Sequence, residues 1–242
     1  MILANARIVT PAGVLSPGWL QFTAGRIDAL GEGTPPRGAS RDLRGSWVLP
    51  GFIDLHVHGG GGHAVTASAQ ATRGAVQFHR GHGTTRTLVS LVAAPLEQLA
   101  AAAGWIAKLT EEGVITGGHL EGPFLARSRC GAQDPAALRR PDLGELRTLL
   151  DAGRGSIRQV TIAPELDGAI DLIRELTDRG VIAAIGHTDA TYDQVKAGIA
   201  AGARLVTHAC NGMRGLHHRE PGPTIAAIED PDVVLEVIND GL

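Results

Sequence analysis

The sequence predicts an α/β fold in which a (β/α)₈ TIM-type barrel follows a small N-terminal β unit. After Gly51, apolar strand-like segments alternate with helical segments of roughly 10–15 residues, a pattern typical of repeated βα units. Aromatic residues make up only 3% of the chain, so Val, Ile, Leu and Ala must fill the core, as in parallel sheets buried on both faces. Several strand-like segments end in a metal-ligand type of side chain, and a barrel rim brings such ends together.

The first 50 residues predict a small β unit. Strand patterns run from Ile2 to Thr10, from Trp19 to Phe22 and from Arg26 to Leu30, and a loop rich in Gly and Pro runs from Gly31 to Ser40. We therefore assign residues 1–50 to this unit and residues 51–242 to the barrel.

The barrel segment contains seven predicted strands separated by helical patterns. The strands lie near 52–57, 84–91, 115–121, 158–163, 181–186, 203–208 and 233–238. Clear helical patterns cover 96–109, 167–178, 193–201 and 224–230, and the second of these is predicted to begin at Asp167 and to be closed by Gly180. Right-handed crossovers permit either an open doubly wound sheet or a closed barrel. Closure is favoured because ligand-type residues end several different strands.

An eighth strand is absent from this pattern. A (β/α)₈ barrel usually takes about 250 residues, and the 242 residues of this chain include the N-terminal unit. The seventh predicted strand lies close to Leu242, so the sequence is interpreted as an incomplete, C-terminally truncated barrel.

Composition argues against several classes of partner and location. The net charge is −3 and the sequence contains no basic stripe, so no nucleic-acid partner is expected. The absence of a long apolar run predicts no membrane span, and the N-terminus does not resemble a signal peptide. Cys130 and Cys210 lack CxxC spacing, which fits a reducing, cytoplasmic location.

Five side chains predict a metal site. His56 and His58 alternate on one strand and therefore share a face, whereas Glu121, His187 and His208 each end a separate apolar strand. Each one alone also fits a simpler interpretation, as a hydrogen-bonded histidine or a solvated carboxylate. Together they favour a divalent metal such as Zn²⁺, which supports hydrolysis by acidifying water and polarising a carbonyl.

Four motifs carry a resemblance to a known family. They are Asp-Leu-His-Val-His-Gly at 54–59, His-Leu-Glu-Gly-Pro-Phe at 119–124, Gly-His-Thr-Asp-Ala-Thr at 186–191 and Thr-His-Ala-Cys-Asn-Gly-Met at 207–213. They resemble the N-acetylglucosamine-6-phosphate deacetylases of the amidohydrolase superfamily. The resemblance implies hydrolysis of N-acetylglucosamine-6-phosphate to glucosamine-6-phosphate and acetate, in amino-sugar catabolism or cell-wall recycling, by a homodimer.

The resemblance also divides the ligands between two metal sites. Glu121, His187 and His208 are implied to bind the primary metal. His56 and His58 are implied to hold a second metal in those family members that use one.

Substrate contacts are implied in the same way. Ala132, Asn211 and Gly212 match positions that face the sugar, and Arg219 matches a phosphate-binding arginine, whose planar fork suits phosphate oxygens. A surface ion pair with a neighbouring acid is the alternative for Arg219. Gln133 stands where relatives often have a His.

The resemblance places the general-base Asp at the end of the eighth strand, beyond Leu242. No catalytic residue is therefore assigned within the chain, and the 242 residues alone are expected to show little or no deacetylase turnover.

Three alternatives remain open. The first is another amidohydrolase, of the cyclic-amidase type, which is disfavoured because Lys108 and Lys196 both lie in helical segments rather than at strand ends. The second is an inactive metal- and sugar-phosphate-binding fragment. The third concerns Cys130, which lies beside Arg127 and Arg129 and is equally explained as a reactive or an inert loop thiol.

Overall fold

A computed structural model describes residues 1–238, 240 and 241 of the chain. The chain divides into two compact units, residues 1–52 and residues 53–242. Among the residues that the structure describes, no helix has the length and apolar character needed to cross a membrane.

The first unit is a five-stranded sheet with a small core. Its strands are β1 (Ile2–Thr10), β2 (Gly13–Thr23), β3 (Arg26–Glu32), β4 (Ser40–Asp42) and β5 (Trp47–Val48). β1 pairs antiparallel with β2 and parallel with β4 and β5, and β3 pairs antiparallel with β2. Ala6, Ile8 and Leu20 are buried together, so the alternating apolar residues of β1 and β2 supply the core of this unit.

The second unit is organised by a seven-stranded sheet. A hairpin of β7 (Gly59–Gly60) and β8 (His63–Ala64) follows its first strand. The sheet strands are β6 (Phe52–Val57), β9 (Thr84–Leu91), β10 (Gly117–Glu121), β11 (Ile157–Ile162), β12 (Ile182–Ile185), β13 (Leu205–Val206) and β14 (Val234–Leu235). They neighbour one another in chain order, and the pairs from β9 to β14 are parallel. All seven predicted strands are present, although β13 and β14 are shorter than predicted.

The sheet is curled like part of a barrel. In a flat sheet β6 and β14 would lie roughly 29 Å apart, because neighbouring strands are spaced by about 4.8 Å. Yet Nδ1 of His56 in β6 lies 3.2 Å from Oε2 of Glu236, which directly follows β14. The prediction of an incomplete TIM-type barrel is therefore confirmed, and the open doubly wound sheet is excluded.

The described part of the chain contains six α-helices packed around the strands. They are α1 (Ala69–Arg80), α2 (Leu96–Glu111), α3 (Leu143–Ala152), α4 (Ala169–Asp178), α5 (Tyr192–Ala200) and α6 (Gly222–Ile228), and a 3₁₀ turn covers Arg127–Arg129. Four of them are predicted from the sequence, whereas α1 and α3 are not. Both carry a side-chain cap, since Ser68 Oγ accepts from Ala71 N and Asp142 Oδ1 accepts from Glu145 N.

Two helix boundaries differ from the predictions. Helix α4 begins at Ala169 rather than at Asp167, because Gly168 before it has a left-handed φ of 87° that a helix cannot include. Helix α6 begins at Gly222, two residues before the predicted start at Thr224. Helix α5 is capped by Thr191 and Gln194, which bond reciprocally to each other's backbone N–H groups.

The core lies between the sheet and the helices. Strand β10 is buried along its whole length, whereas β6 and β14 at the two ends of the sheet are largely exposed or half-buried. Leu120 and Val160 on neighbouring strands are fully buried, as are Leu146 and Leu172 on the covering helices. Burial on both faces explains why the central strands are continuous apolar runs.

Candidate metal centre

The centre is built where the strands end. Glu121 is the last residue of β10, and His187 and His208 follow β12 and β13 by two residues. Both histidines have positive φ angles, 47° and 32°, which side chains other than glycine rarely adopt. Such backbone strain is typical of functional positions, and here the chain turns sharply as each ring points back to Glu121.

The first ligand group is Glu121, His187 and His208. Oε1 of Glu121 lies 3.2 Å from Nε2 of His187 and 2.9 Å from Nε2 of His208, and the two Nε2 atoms are 3.1 Å apart. Ligand atoms about 2.0–2.1 Å from a tetrahedral Zn²⁺ lie roughly 3.3 Å from one another. The three atoms therefore have a spacing that suits one metal ion.

The second ligand group shares the same carboxylate. Nε2 of His56 is 3.3 Å from Oε1 of Glu121, and Nε2 of His58 is 3.1 Å from Oε2. The two Nε2 atoms are 3.0 Å apart. The structure thus brings all five predicted ligands together, in two overlapping groups that could each hold a metal ion.

The hydrogen bonds on the far side of the rings favour a cation. Nδ1 of His187 meets the carbonyl O of Arg129 at 2.9 Å, and Nδ1 of His58 meets that of Ser90 at 3.1 Å. A carbonyl oxygen only accepts, so each Nδ1 carries the proton and each neutral ring turns an Nε2 lone pair toward Glu121. A lone pair facing a carboxylate oxygen requires a cation or a second proton between them, and metal-binding histidines commonly have such Nδ1 partners.

Two further hydrogen bonds support the rings from the side opposite Glu121. Nδ1 of His56 donates to Oε2 of Glu236 at 3.2 Å, and Nε2 of Gln159 donates to Oε1 of the same carboxylate at 3.2 Å. Nδ1 of His208 is buried without a hydrogen-bond partner among the described residues. Among the described residues, no hydrogen bond to Nδ1 fixes the tautomer of His208.

In the ion-free centre, the pKa shifts of the candidate ligands also indicate that positive charge is favoured there. Burial alone would raise the pKa of Glu121, but the surrounding imidazoles outweigh it and hold that pKa far below its usual range. Burial lowers the pKa of His56, yet hydrogen bonds to Glu121 and Glu236 outweigh it and raise it to about 9. Burial lowers the pKa of His187 as well, but the hydrogen bond and charge of Glu121, together with the carbonyl of Arg129, outweigh it and raise that pKa. In the ion-free centre, protons on His56 and His187 would supply positive charge that a metal ion would otherwise bring.

A buried polar layer lies beneath the ligands. His119, two residues before Glu121 in β10, is fully buried, and its nitrogens bond to Ser90 Oγ at 2.9 Å and Thr161 Oγ1 at 2.7 Å. Thr161 Oγ1 in turn lies 2.8 Å from Thr207 Oγ1. Burial, with the nearby His56, holds the pKa of His119 well below its ordinary value, so the ring stays neutral.

The predicted substrate positions fall on two loops. Gly212 packs against His187, and a Cβ there would lie 3.2 Å from the ring's Nδ1. Ala132, Asn211 and Arg219 are exposed. The carboxylate of Glu220 accepts from Tyr192 N at 2.9 Å, and no ion pair joins Glu220 to Arg219 in the described part of the chain. The surface ion pair considered for Arg219 is therefore not formed with its neighbour.

Three contacting residues were not assigned to the centre from the sequence. Glu236 and Gln159 support His56, and Gln133 donates through Nε2 to Oε2 of Glu121 at 2.6 Å. Glu236 carried a signal, since an acid stands inside the apolar run 233–238. Gln133 was noted only as a substitution at a substrate position.

Comparisons with known proteins agree with this geometry. The chain is 36% identical over 245 residues to an N-acetylgalactosamine-6-phosphate deacetylase of Escherichia coli O157:H7, covering 99% of this chain and 64% of the relative. It is 34% identical to an N-acetylglucosamine-6-phosphate deacetylase of Bacillus subtilis (strain 168), covering 100% of this chain and 64% of the relative. The resemblance stated from the four motifs is confirmed.

A solved structure extends the likeness to the fold. The crystal structure of N-acetyl-D-glucosamine-6-phosphate deacetylase from Mycobacterium smegmatis superposes with a TM-score of 0.94 at 47% identity, covering 100% of this chain and 64% of that one. The chain thus spans just under two thirds of the length of these relatives. Residues 47–241 match the amidohydrolase family. The chain therefore belongs to the amidohydrolase family.

Proposed function

We propose that the site serves the deacetylation of N-acetylglucosamine-6-phosphate to glucosamine-6-phosphate and acetate. The observation that carries the proposal is the convergence of four imidazoles on the buried carboxylate of Glu121 at the rim of the sheet. The activity named for the relatives supports the choice of reaction. A mutant of the M. smegmatis protein in complex with N-acetyl-D-glucosamine-6-phosphate supports the choice of substrate.

The five ligands would hold Zn²⁺ or a similar divalent ion. Imidazole and carboxylate donors suit zinc, and the fixed Nδ1 partners of His56, His58 and His187 leave their Nε2 atoms free to bind it. When bound, the ion supplies Lewis acidity, which activates water and polarises a carbonyl.

The substrate would lie beside His187, where glycines leave space. A Cβ at Gly131 would lie 3.4 Å from His187 Cε1, so a larger residue at Gly131 or Gly212 would narrow this approach. Ala132 and Asn211 would face the sugar, and the exposed fork of Arg219 would bind the phosphate bidentately. The homodimer and the cytoplasmic location stay predictions.

The galactose epimer is a second candidate substrate. The E. coli relative, which matches 99% of this chain, is named for N-acetylgalactosamine-6-phosphate. The two sugars differ only at one ring hydroxyl, so the same metal and phosphate contacts would serve both.

Binding without turnover is the alternative function. The two carboxylates that touch the imidazoles already have other proposed roles, Glu121 as a metal ligand and Glu236 as the partner of His56, so neither is assigned to move a proton. This observation favours a metal- and sugar-phosphate-binding role for the 242 residues taken alone.

One experiment separates these functions. The chain is loaded with Zn²⁺, and binding and acetate release are measured with N-acetylglucosamine-6-phosphate, its galactose epimer and unphosphorylated N-acetylglucosamine. Zinc-dependent acetate release that prefers the phosphorylated glucose epimer supports the proposal, and binding without release supports the alternative. If neither phosphorylated sugar binds or reacts, both are contradicted. Arg219→Met should weaken phosphosugar binding while leaving zinc binding unchanged.

A further inference from the structure

Gln133 occupies an unusual place beside the centre. Its side chain is buried, and the residue is only 5% exposed although it lies in the loop after β10. Nε2 donates to Glu121 Oε2 at 2.6 Å, and Oε1 accepts from Ala93 N at 2.7 Å. Both ends of the amide are therefore used, and the side chain is directed inward, toward a ligand, rather than toward substrate.

The two partners fix the orientation of the amide. Ala93 N–H only donates, so it must meet the carbonyl oxygen, and the carboxylate of Glu121 only accepts, so it must meet the NH₂ group. The reversed amide would oppose donor to donor and acceptor to acceptor in a buried site. The main chain at Ala93 thus holds the NH₂ group against Glu121.

The loop also fixes the backbone of Gln133. Its N–H donates to Cys130 O at 3.0 Å, which closes a turn next to Gly131. Gly131 has a φ of 55° and packs near the ring of His187. One loop therefore contacts two of the three residues of the first ligand group.

We propose that Gln133 is a positioning residue for the metal centre. It binds Oε2 of Glu121 and so keeps the carboxylate from rotating, while Oε1 stays directed at His187 and His208, 3.2 and 2.9 Å away. The proposal rests on the metal-binding role of the proposed function, and it extends that role to a residue outside the ligand set. A residue that orients a ligand in this way typically contributes about 10–100-fold to metal affinity.

The test compares metal affinity between matched variants of the whole 242-residue chain. Gln133→Met keeps the length of the side chain and removes both hydrogen bonds. We expect Co²⁺ to bind about 10–100-fold more weakly than to the wild type, in competition with a chelator. The visible absorption of bound Co²⁺ should also change, because a carboxylate that is free to rotate alters the ion's surroundings. A residue that only ordered the loop would leave that spectrum unchanged.

Asp134→Ala is the matched control in the same loop. Asp134 Oδ1 accepts from Ala136 N at 2.9 Å, so its loss disturbs the loop without removing a contact to Glu121, and Co²⁺ affinity should stay unchanged. If the Met variant does not fold, Gln133→Asn decides. It keeps an amide too short to reach both partners and should weaken Co²⁺ binding by a smaller factor.

Three outcomes would overturn the inference. In the first, the Gln133 variants that fold bind Co²⁺ as tightly as the wild type does. In the second, Asp134→Ala weakens binding as much as they do. In the third, the wild type itself binds no metal, which would overturn the proposed function as well, whereas the first two leave that function intact.

Discussion

The two ligand groups share Glu121 but are built from different parts of the sheet. The side chains of His187 and His208 are 7% and 14% exposed, and they follow the interior strands β12 and β13. Those of His56 and His58 are 18% and 40% exposed; His56 lies in β6, which ends the sheet, and His58 directly follows that strand. The first group is the more deeply desolvated of the two.

The groups also differ in what orients them. His187 is oriented by the carbonyl of Arg129, in a loop that also contains Gln133. His56 depends on Glu236, which reaches it only because the two ends of the sheet curl together. We infer that the first group is the tighter and less exchangeable metal site, and that the second depends on how well the sheet closes.

Replacing the shared carboxylate should have the largest effect. Glu121→Gln removes the anion common to both groups, so we expect at least a 100-fold loss of metal affinity and no metal retained after dialysis. Elemental analysis of the dialysed chain measures this. Glu145→Gln is the control, because Glu145 pairs with Arg139 away from the cluster. Retention of one tightly bound ion by the Glu121 variant would show that the groups do not depend on this carboxylate.

Removing one histidine from each group should separate the two sites. His187→Ala is expected to abolish the tight site, whereas His58→Ala should remove only the weaker ion and leave the first affinity unchanged. Zinc titrations followed by calorimetry give the number of ions and both affinities. Equal losses in the two variants would mean that the five ligands form a single site.

Weakening the support of the second group should give a smaller and selective change. Glu236→Gln keeps the shape of the side chain but removes the charge that faces His56 Nδ1, so the second ion should bind about 10–100-fold more weakly. The first ion should be unaffected, since Glu236 contacts neither His187 nor His208 within hydrogen-bond distance. The same titration reports both values, and an equal weakening of the first ion would contradict the comparison.

The convergence of the main candidate ligands could be predicted from the sequence for a simple geometric reason. Each of Glu121, His187 and His208 ends an apolar run, and the ends of parallel strands meet at one rim. The period of two on β6 placed His56 and His58 on the same face. These inferences need only the alternation of strand and helix, which was correct for all seven strands of the sheet.

The supporting residues could not be predicted because they depend on the curvature of the sheet and on loop conformation. Glu236 reaches His56 from the opposite end of the sheet, a contact 180 residues apart in sequence that no local pattern encodes. Gln133 reaches Glu121 because the turn at Cys130 and Gly131 folds its loop inward. Helices α1 and α3 were not predicted, although their sequences carry signals: the caps Ser68 and Asp142, and in α3 the buried Leu146, Leu149 and Leu150.

The pH dependence of the ion-free chain sharpens the comparison on the side of His56. Its folded pKa of about 9 lies above the ordinary 6.5, so its contribution is complete below pH 6.5 and is lost as the pH rises through about 9. Glu121 has the opposite sign, because its lowered pKa stabilises the fold above its ordinary 4.5 and the contribution is lost as the pH falls. In the presence of a chelator, the chain should therefore unfold at a higher temperature near pH 6 than near pH 9.5. Its free energy of unfolding should be lower at the higher pH by up to about 3 kcal/mol.

Saturating zinc should reverse that slope, because deprotonated imidazoles bind the ion more tightly. His56→Asn should lessen the decline of the ion-free chain between pH 6.5 and 9, since His56 no longer loses a proton there, whereas His187, whose pKa is also raised, remains. Arg174→Gln, which removes a surface pair with Asp171 on α4, is the control and should leave the slope unchanged. If stability declined by the same amount in the His56 variant, another group would be responsible for the pH dependence. The contact between His56 and Glu236, at the two ends of the sheet, would then not contribute to it.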